Sequence, residues 1–319
     1  MNTERSINSK LKVLWLNDEI SKLAIDQEGN VNKERFNYIV GIIEDLISLI
    51  GRDSADHTMQ PFLYHVKELK ERVGDTKGKP IVALDTKTLP LVIDPIRSRI
   101  FEVHLSRVRD IVDPNLKTKD LIMTRGNDAI QKLRDINEEI IIYDDISFTG
   151  NTITELIKKL NEIGCRYKSI KVAVIGITKN ATSKIKSMGE NIEVVSGFII
   201  DDVADDAWHT ADLFTDTKTE DGKVIKASDL IKMLIPVFKG EESFNEFIER
   251  NRIPKTMRNP NLFLLLARDD SPLSKQLSKE GLLESFDKVY SIVVKIEEMM
   301  NESNKQAVNR DLSIEAIRS

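Results

Sequence analysis

The sequence predicts an α/β fold in which a parallel sheet lies between an N-terminal cap and a helical C-terminal region. Short runs rich in isoleucine and valine alternate with helical periods between residues 80 and 201. Continuous apolar strands of this kind are typical of a parallel sheet covered on both faces. Beyond about residue 220 the strand pattern stops. We therefore divide the chain into a cap over 1–78, an α/β domain over 79–218 and a helical region over 219–319.

The cap is predicted to contain one strand and two helices. The apolar run LKVLWL (11–16) favours a buried strand. FNYIVGIIEDLISLIG (36–51) and PFLYHVKELKERVG (61–74) repeat apolar residues at helical spacing, and each ends at a glycine. Both segments therefore predict amphipathic helices.

Five runs predict the strands of the α/β domain: PIVALD (80–85), IFEVHL (100–105), EIIIYDD (139–145), SIKVAVIGIT (169–178) and EVVSGFIID (193–201). TITELIKKLNEIG (152–164) and SKIKSMGEN (183–191) predict crossover helices between them. The later segments SDLIKMLIPVF, ESFNEFIERNR, NLFLLLARDD and LLESFDKVYSIVVKIEEMMNES predict helices separated by prolines. The final NKQAVNRDLSIEAIRS fits either a last helix or a frayed tail.

Composition excludes several classes of protein. With 40% hydrophobic and 31% charged residues, the 319-residue chain can form a real core and is not wholly disordered. No apolar run approaches the ~20 residues that cross a bilayer, and MNTERSINSK lacks the apolar stretch of a signal peptide. We expect a cytoplasmic protein. The single cysteine, Cys165, excludes an internal disulfide and a cysteine zinc cluster.

The overall charge gives no indication of nucleic-acid binding, although residues 97–125 contain several basic side chains and leave a local basic patch open. The net charge is −5, and residues 201–221 alone carry −7. Neutralising a polyanion requires clustered lysine and arginine instead. The sequence also lacks a GxxxxGK[ST] loop, a GxGxxG turn, a GxSxG elbow and an HExxH motif, which argues against the chemistries of those motifs.

One segment, IIIYDDISFTGNTITELIKKL (140–160), combines the features of a sugar-phosphate site. A buried strand ends at Asp144 and Asp145, and a turn of small and hydroxyl residues then leads into a helix. Ligands of open parallel sheets bind at the carboxyl ends of strands, and a helix N-terminus favours phosphate. The two carboxylates would accept hydrogen bonds from sugar hydroxyls. Aspartates that merely cap a turn are the structural alternative.

The same segment resembles the phosphoribosyl-pyrophosphate (PRPP) motif of type I phosphoribosyltransferases, with two acids followed by Thr149-Gly150-Asn151-Thr152. The resemblance implies a Rossmann-like parallel sheet of that family's kind. It also implies that Asp144 and Asp145 hold the ribose hydroxyls, directly or through Mg²⁺, and serve as catalytic and metal-binding residues. Thr149, Gly150, Asn151 and Thr152 would hold the 5-phosphate.

The resemblance extends to the pyrophosphate and to the leaving group. The family's pyrophosphate loop would follow PIVALD, where Lys87 and Thr88 would bind it, although the usual glycine is missing and Lys87 also fits an ordinary exposed turn. A mobile catalytic loop would follow IFEVHL, with Arg107 and Arg109 as candidates and Lys117, Lys119 and Arg125 behind them. Solvated loop residues are the alternative there.

The acceptor side departs from the family. Phe148 stands where the family usually has a small or polar residue. The resemblance therefore does not imply a 6-oxopurine substrate recognised as in the purine-salvage branch, and the phenyl ring would instead form one wall of the site. Asp202, Trp208 and His209 would contact an acceptor, and a solvated acidic segment is the alternative. His57, His65 and His104 show no metal-ligand spacing.

These observations leave three functions open. The first is a Mg²⁺-dependent phosphoribosyltransferase that transfers phosphoribose to an unidentified acceptor. The second is a module that senses PRPP or a nucleotide without turnover. The third is an effector of a bacterial antiviral or conflict system. We expect a small-molecule nucleotide or PRPP as ligand, no membrane partner, a homo-oligomer on resemblance, and a possible protein partner at the C-terminal helices.

Overall fold

The computed structural model describes residues 6–7, 21–24, 30–50, 62–113, 118–200, 215–258, 260–268 and 278–318. The strands are β1 (Ser6–Ile7), β2 (Pro80–Ala83), β3 (Arg99–Glu102), β4 (His104–Asp110), β5 (Thr118–Arg125), β6 (Glu139–Ser147), β7 (Ser169–Thr178), β8 (Ile192–Ile200), β9 (Thr217–Lys218), β10 (Val224–Ile225) and β11 (Thr256–Arg258). The helices are α1 (Lys33–Ile50), α2 (Phe62–Val73), α3 (Leu89–Val92), α4 (Asn127–Gln131), α5 (Asn151–Glu162), α6 (Lys179–Lys186), α7 (Ala227–Met233), α8 (Ile235–Phe238), α9 (Phe244–Arg250), α10 (Leu262–Leu266), α11 (Lys279–Glu284) and α12 (Phe286–Arg318).

A parallel sheet forms the centre of the molecule. Its strand order is β1-β8-β7-β6-β2-β3, and every neighbouring pair is parallel. β6 pairs with β7 from Glu139 opposite Ser169 to Ser147 opposite Ile177, and β7 pairs with β8 over an equal length. The predicted α/β class with a parallel sheet is confirmed. The strand predicted over 11–16 lies outside the described residues.

Alternate side chains of the central strands enter two separate cores. Ile140 and Ile142 of β6 pack with the buried face of α5, whose members include Ile153, Leu156 and Ile157. Ile141 and Tyr143 face the other way, into a core that also contains residues of α1, α2 and the helices from α7 to α12. Because successive residues of a strand point to opposite faces, the apolar strand runs reflect burial on both sides.

The segment IFEVHL does not form one strand. Residues up to Glu102 form β3 beside β2, whereas β4 begins at His104 in a second, antiparallel sheet of order β11-β4-β5. The region predicted as a mobile loop after this segment therefore contains two antiparallel strands, the greater part of β4 and its partner β5. The alternation of apolar and polar residues in IFEVHL fits one continuous strand and carries no signal for a change of partner, because the partner is chosen by tertiary contacts.

The predicted absence of strands beyond residue 220 is also wrong. β10 pairs with β9, and β11 pairs with β4, with Met257 opposite Arg109. Strands of two or three residues are too short to show a period of two, so only their partners reveal them. Helices are present in the predicted segments of this region, but two of these segments are divided: SDLIKMLIPVF at Leu234 between α7 and α8, and LLESFDKVY at Ser285 between α11 and α12.

Candidate functional site

The sheet order creates a crevice between the carboxyl ends of β2 and β6. From β2 the chain passes to β3 on one side, and β6 then lies on the other side of β2. The helices that follow β2 and β6 cover opposite faces of the sheet. Helix α3, after β2, packs in the core that contains Tyr143, and α5, after β6, packs in the core that contains Ile142. Open α/β sheets bind ligands at such a switch point. The loop over 84–88 and the segment 144–152, which contains the end of β6, the turn and the start of α5, therefore flank the expected ligand position.

Asp144 and Asp145 stand near the carboxyl end of β6, as the sequence motif requires. Asp144 is partly exposed, whereas only 5% of Asp145 is exposed. Asp144 Oδ1 accepts the N–H of Asp145 at 3.1 Å, and Asp145 Oδ1 accepts the N–H of Ile146 at 2.7 Å. The two carboxylates are therefore oriented by the backbone of their own strand, and Asp144 is the more accessible to a ligand.

Gly150 makes the tight turn between β6 and α5. It has a φ of +70°, which side chains with a Cβ rarely adopt, and it directly precedes the first residue of α5. A Cβ at this position would lie 3.2 Å from the carbonyl oxygen of Ala181 in α6. The glycine thus lets the turn pass close to α6, and the N-terminus of a twelve-residue helix opens behind it. Free N–H groups at such an end suit a phosphate.

Helix α6 and its N-cap residue hold this turn by side-chain hydrogen bonds. The Thr178 hydroxyl donates to the carbonyl oxygen of Phe148, and it accepts the N–H of Ala181 at 3.0 Å as the N-cap of α6. The Lys184 ammonium donates to the side-chain oxygen of Asn151. Sequence analysis did not single out Thr178 or Lys184, because neither belongs to the motif and only the packing of α6 brings them to it.

The loop after β2 is held by Asp85, a residue that sequence analysis did not single out. Asp85 Oδ2 accepts the N–H of Thr88 at 2.9 Å and also its hydroxyl, and Asp85 Oδ1 accepts the N–H of Lys87 at 3.3 Å. Thr88 Oγ1 lies 2.8 Å from Tyr143 Oη, and both residues are buried. This bond joins the loop after β2 to strand β6. Lys87 is exposed on the same loop.

The arginines proposed for catalysis lie on β4. Arg107 is paired with Leu121 of β5, and Arg109 is placed between Thr118 of β5 and Met257 of β11. Only 2% of Arg109 is exposed. Arg109 is therefore built into a three-stranded sheet and is not on a solvated loop. Arg125, at the end of β5, is exposed, and Lys119 lies on β5.

The proposed acceptor-side residues are only partly described. Phe148 is 7% exposed and packs within the core that contains Tyr143 and Phe198. Its ring is thus covered by neighbouring side chains. Asp202, Trp208 and His209 lie outside the described residues, as does Lys117. Their predicted contacts with an acceptor or with pyrophosphate stay predictions.

Gly197 and Phe198 of β8 serve packing against α2. A Cβ on Gly197 would lie 2.2 Å from the carbonyl oxygen of His65, so this approach requires glycine. The His65 ring is tilted against Phe198 with centroids 4.4 Å apart. Burial lowers the pKa of His65, which favours the neutral imidazole. His65 is therefore a buried packing residue, in keeping with its lack of metal-ligand spacing.

The residues near the end of β6 fit a magnesium ion that a substrate helps to hold. No group of three histidine, cysteine, aspartate or glutamate side chains within the described part of the chain could form a metal centre alone. Mg²⁺ is commonly bound by one or two carboxylates together with substrate phosphates. Asp144 and Asp145 would supply those carboxylates at the crevice.

None of the helices among the described residues is long and apolar enough to cross a membrane.

Comparison with known protein families identifies the kind of domain in which the segment 144–152 lies. Residues 105–260 match the family model described as PRTase-CE. The chain contains a divergent phosphoribosyltransferase-like domain. The matched residues of this phosphoribosyltransferase-like domain include the segment 144–152 and the antiparallel sheet except His104 of β4, and they begin after the loop over 84–88.

Three solved structures are similar to part of this chain at low sequence identity. A hypothetical protein from Neisseria gonorrhoeae with bound ppGpp is 16% identical, with 46% of this chain and 88% of that chain covered and a TM-score of 0.33. A purine phosphoribosyltransferase from Pyrococcus horikoshii is 17% identical, covering 45% and 89%, with a TM-score of 0.28. An adenine phosphoribosyltransferase from Rhodothermus marinus is 14% identical, covering 50% and 99%, with a TM-score of 0.30. The search of curated proteins found no match.

Proposed function

We propose that the chain binds phosphoribosyl pyrophosphate in the crevice between β2 and β6 and transfers its phosphoribosyl group to an acceptor. The observation that carries this proposal is the arrangement of two carboxylates and a glycine turn at one switch point, within the residues that match the PRTase-CE model. The turn at 149–152 would bind the 5-phosphate through the N-terminus of α5. Asp144 and Asp145 would accept hydrogen bonds from the ribose hydroxyls.

The chain's own residues would act chiefly by positioning the substrate. In the proposed reaction the bond between C1 and the pyrophosphate oxygen breaks, and an acceptor nitrogen forms the new bond to C1. Bound Mg²⁺ would neutralise charge on the leaving pyrophosphate. Asp144 and Asp145 would orient the ribose, and the phosphate turn would fix its other end, so that C1 faces the acceptor. Lys87 would add positive charge on the pyrophosphate side.

Calorimetry tests this proposal directly. We expect wild-type protein to bind ribose 5-phosphate and phosphoribosyl pyrophosphate in the presence of Mg²⁺, and the Asp144→Asn/Asp145→Asn variant to lose at least about tenfold in affinity for both, or about 1.4 kcal/mol. Each carboxylate would lose charge but keep one acceptor oxygen, so the fold should survive.

A matched control uses carboxylates at the opposite edge of the sheet. Asp75 and Asp135 are exposed and precede β2 and β6 at their amino ends. The Asp75→Asn/Asp135→Asn variant has the same change in charge and should bind both ligands like wild type. Equal losses in the two double variants would reduce the effect to net charge, and the site would then not lie at 144–152. If folded wild-type protein binds neither ligand, the proposal is wrong.

The second candidate is a module that binds the same ligands without turnover. Arg109 favours it, because this arginine is buried between β5 and β11 and is not on a loop that could close over a leaving group. The two candidates differ in product: incubation with phosphoribosyl pyrophosphate and a panel of bases should release pyrophosphate from an enzyme and leave the ligand intact in a sensor.

Several expectations from the sequence stay predictions. They are the homo-oligomer, the protein partner at the C-terminal helices, the cytoplasmic location, the antiviral role and the division of the chain at 78 and 218. The acceptor is unidentified because Phe148 is covered and the predicted acceptor-side residues Asp202 and Trp208 lie outside the described part of the chain.

A further inference from the structure

The loop after β2 already contains an anion. Asp85 accepts hydrogen bonds from the N–H groups of Lys87 and Thr88 and from the Thr88 hydroxyl. Two successive backbone N–H groups and a hydroxyl are the donors with which a loop binds a phosphate. Here these donors are directed at a carboxylate of the same loop. A pyrophosphate group that used them would have to displace Asp85.

The buried hydroxyls beside Asp85 fix this arrangement. Thr88 is 1% exposed and Tyr143 is fully buried, and their oxygens are 2.8 Å apart. A threonine hydroxyl has one proton and two lone pairs. If that proton is donated to Asp85, Thr88 Oγ1 accepts the proton of Tyr143. Asp85 is thus connected through Thr88 to the residue that directly precedes Asp144.

The position of the loop makes its charge matter to the ligand. Ala83 at the end of β2 lies opposite Tyr143 of β6, and Leu84 donates its N–H to the Tyr143 carbonyl oxygen at 2.9 Å. The loop that begins at Leu84 therefore stands beside the carboxylates of β6, on the same edge of the sheet. Like charges at short range repel, and they do so more strongly where solvent is partly excluded.

We propose that Asp85 determines which ribose 5-phosphates the crevice accepts, by holding a negative charge where a pyrophosphate would bind. This inference rests on the proposed function, because it assumes that the ribose 5-phosphate portion binds at 144–152. The residue selects against a pyrophosphate at C1 and favours ribose 5-phosphates that carry a less charged group there. Phosphoribosyl pyrophosphate then binds only when Asp85 turns out of its loop.

The test is the ratio of two affinities. Ribose 5-phosphate and phosphoribosyl pyrophosphate are titrated into wild type and Asp85→Asn at one fixed Mg²⁺ concentration. Asparagine keeps an acceptor oxygen for the loop N–H groups but removes the charge. We expect the affinity for phosphoribosyl pyrophosphate to rise about tenfold, while that for ribose 5-phosphate stays within about twofold. Asp85→Ser, which also keeps an acceptor for the turn, should act in the same direction.

Asp94 provides a matched control. Its carboxylate also accepts a backbone N–H two residues later, from Ile96 at 3.0 Å, and it lies after α3, away from the bond between Thr88 and Tyr143. Asp94→Asn should leave both affinities unchanged. Thermal unfolding confirms that each variant is folded before its affinities are compared.

The outcomes separate this inference from the proposed function. If ribose 5-phosphate binds to all proteins and the ratio is the same in wild type, Asp85→Asn and Asp85→Ser, the role of Asp85 is overturned while the site at 144–152 stands. A gain for both ligands alike would likewise overturn it, since the charge would then not discriminate at C1. If no protein binds either ligand, the proposed function fails and this inference fails with it.

Discussion

At the scale of single residues, Gly150 shows how conformation and packing act at one position. Its φ of +70° is close to that of Gly164, which is +73°. The two differ in their surroundings, because a Cβ at Gly150 would approach Ala181 and Ile185 of α6, whereas a Cβ at Gly164 would meet nothing within 4 Å. This pair separates the cost of the backbone conformation from the cost of the contact.

We expect Gly150→Ala to lower the free energy of unfolding by about 2 kcal/mol and Gly164→Ala by about 1 kcal/mol. The left-handed conformation costs a residue with a Cβ roughly 1–2 kcal/mol, and only Gly150 adds a tight contact with α6. Urea unfolding of the two variants measures both values. Gly150→Ala should also weaken binding of ribose 5-phosphate, and Gly164→Ala should not. Equal stability losses would mean that α6 moves aside freely.

At the scale of elements, the antiparallel sheet β11-β4-β5 is tied to the C-terminal helices by Arg268. This residue follows α10 and is 4% exposed. Its guanidinium donates to the carbonyl oxygens of Ile111 and Asp113, just beyond the end of β4, the latter at 2.7 Å. The N–H of Ile111 in turn donates to the Lys255 carbonyl oxygen at 2.8 Å. The end of β4 is thus held from two sides.

Arg268→Gln should loosen this sheet. Leaving the buried carbonyl oxygen of Ile111 without its charged donor costs about 1–3 kcal/mol, and the partly buried one of Asp113 also loses its donor. Amide hydrogens of β4 and β11 should therefore exchange faster with solvent, as measured by hydrogen exchange and mass spectrometry. Arg250→Gln is the control, because Arg250 pairs with Glu242 at the surface, and its loss should leave the exchange of β4 and β11 unchanged. Unchanged exchange in β4 would show that Arg268 does not hold it.

The same sheet marks the limit of what the sequence predicts about elements. Long strands and helices with a full period, such as β6, β7 and α5, are predicted from local pattern. The change of sheet at Val103 is not predicted from local pattern, because the alternation of apolar residues continues through it. Gly126 is the residue that permits the change: a Cβ there would lie 2.5 Å from the Glu102 carbonyl oxygen. A glycine among polar residues gives no indication of which strand it approaches.

The candidate site divides in a similar way. Asp144, Asp145 and the turn at 149–152 follow one another along the chain, so the sequence predicts their place together at the end of β6. Asp85 and Lys184 reach the same edge from a separate loop and from α6. No spacing joins them in sequence. Their roles depend on strand order and helix packing.

At the scale of the whole molecule, the two ends of the described chain cover the same face of the sheet. One continuous core contains Ala24, Ile39 of α1, Ile141 of β6, Phe263 of α10 and Ile296 of α12. The N-terminal helices and the C-terminal helices therefore share their buried surface with the central strands. Such a shared core predicts that these parts unfold together.

We expect coincident unfolding of α1, β7 and α12 in urea, measured by pulsed hydrogen exchange of peptides from each element. Phe263 is fully buried, and Phe263→Ala should cost about 3–5 kcal/mol through loss of packing. The variant should shift all three elements to lower urea together. Loss of protection in α12 before β7 would contradict this and would show that the C-terminal helices form a separate cooperative unit.

The pairing of β4 has a further consequence for the timing of ligand exchange. This strand is paired on both of its edges, with β5 and with β11, and its end is fastened by Arg268. Any movement that carries Arg109 toward the crevice must first break backbone hydrogen bonds along one of those edges. Such opening is a local unfolding event and is slower than the motion of a free loop. If β4 must open, a bound ligand would therefore leave at the rate at which this sheet separates.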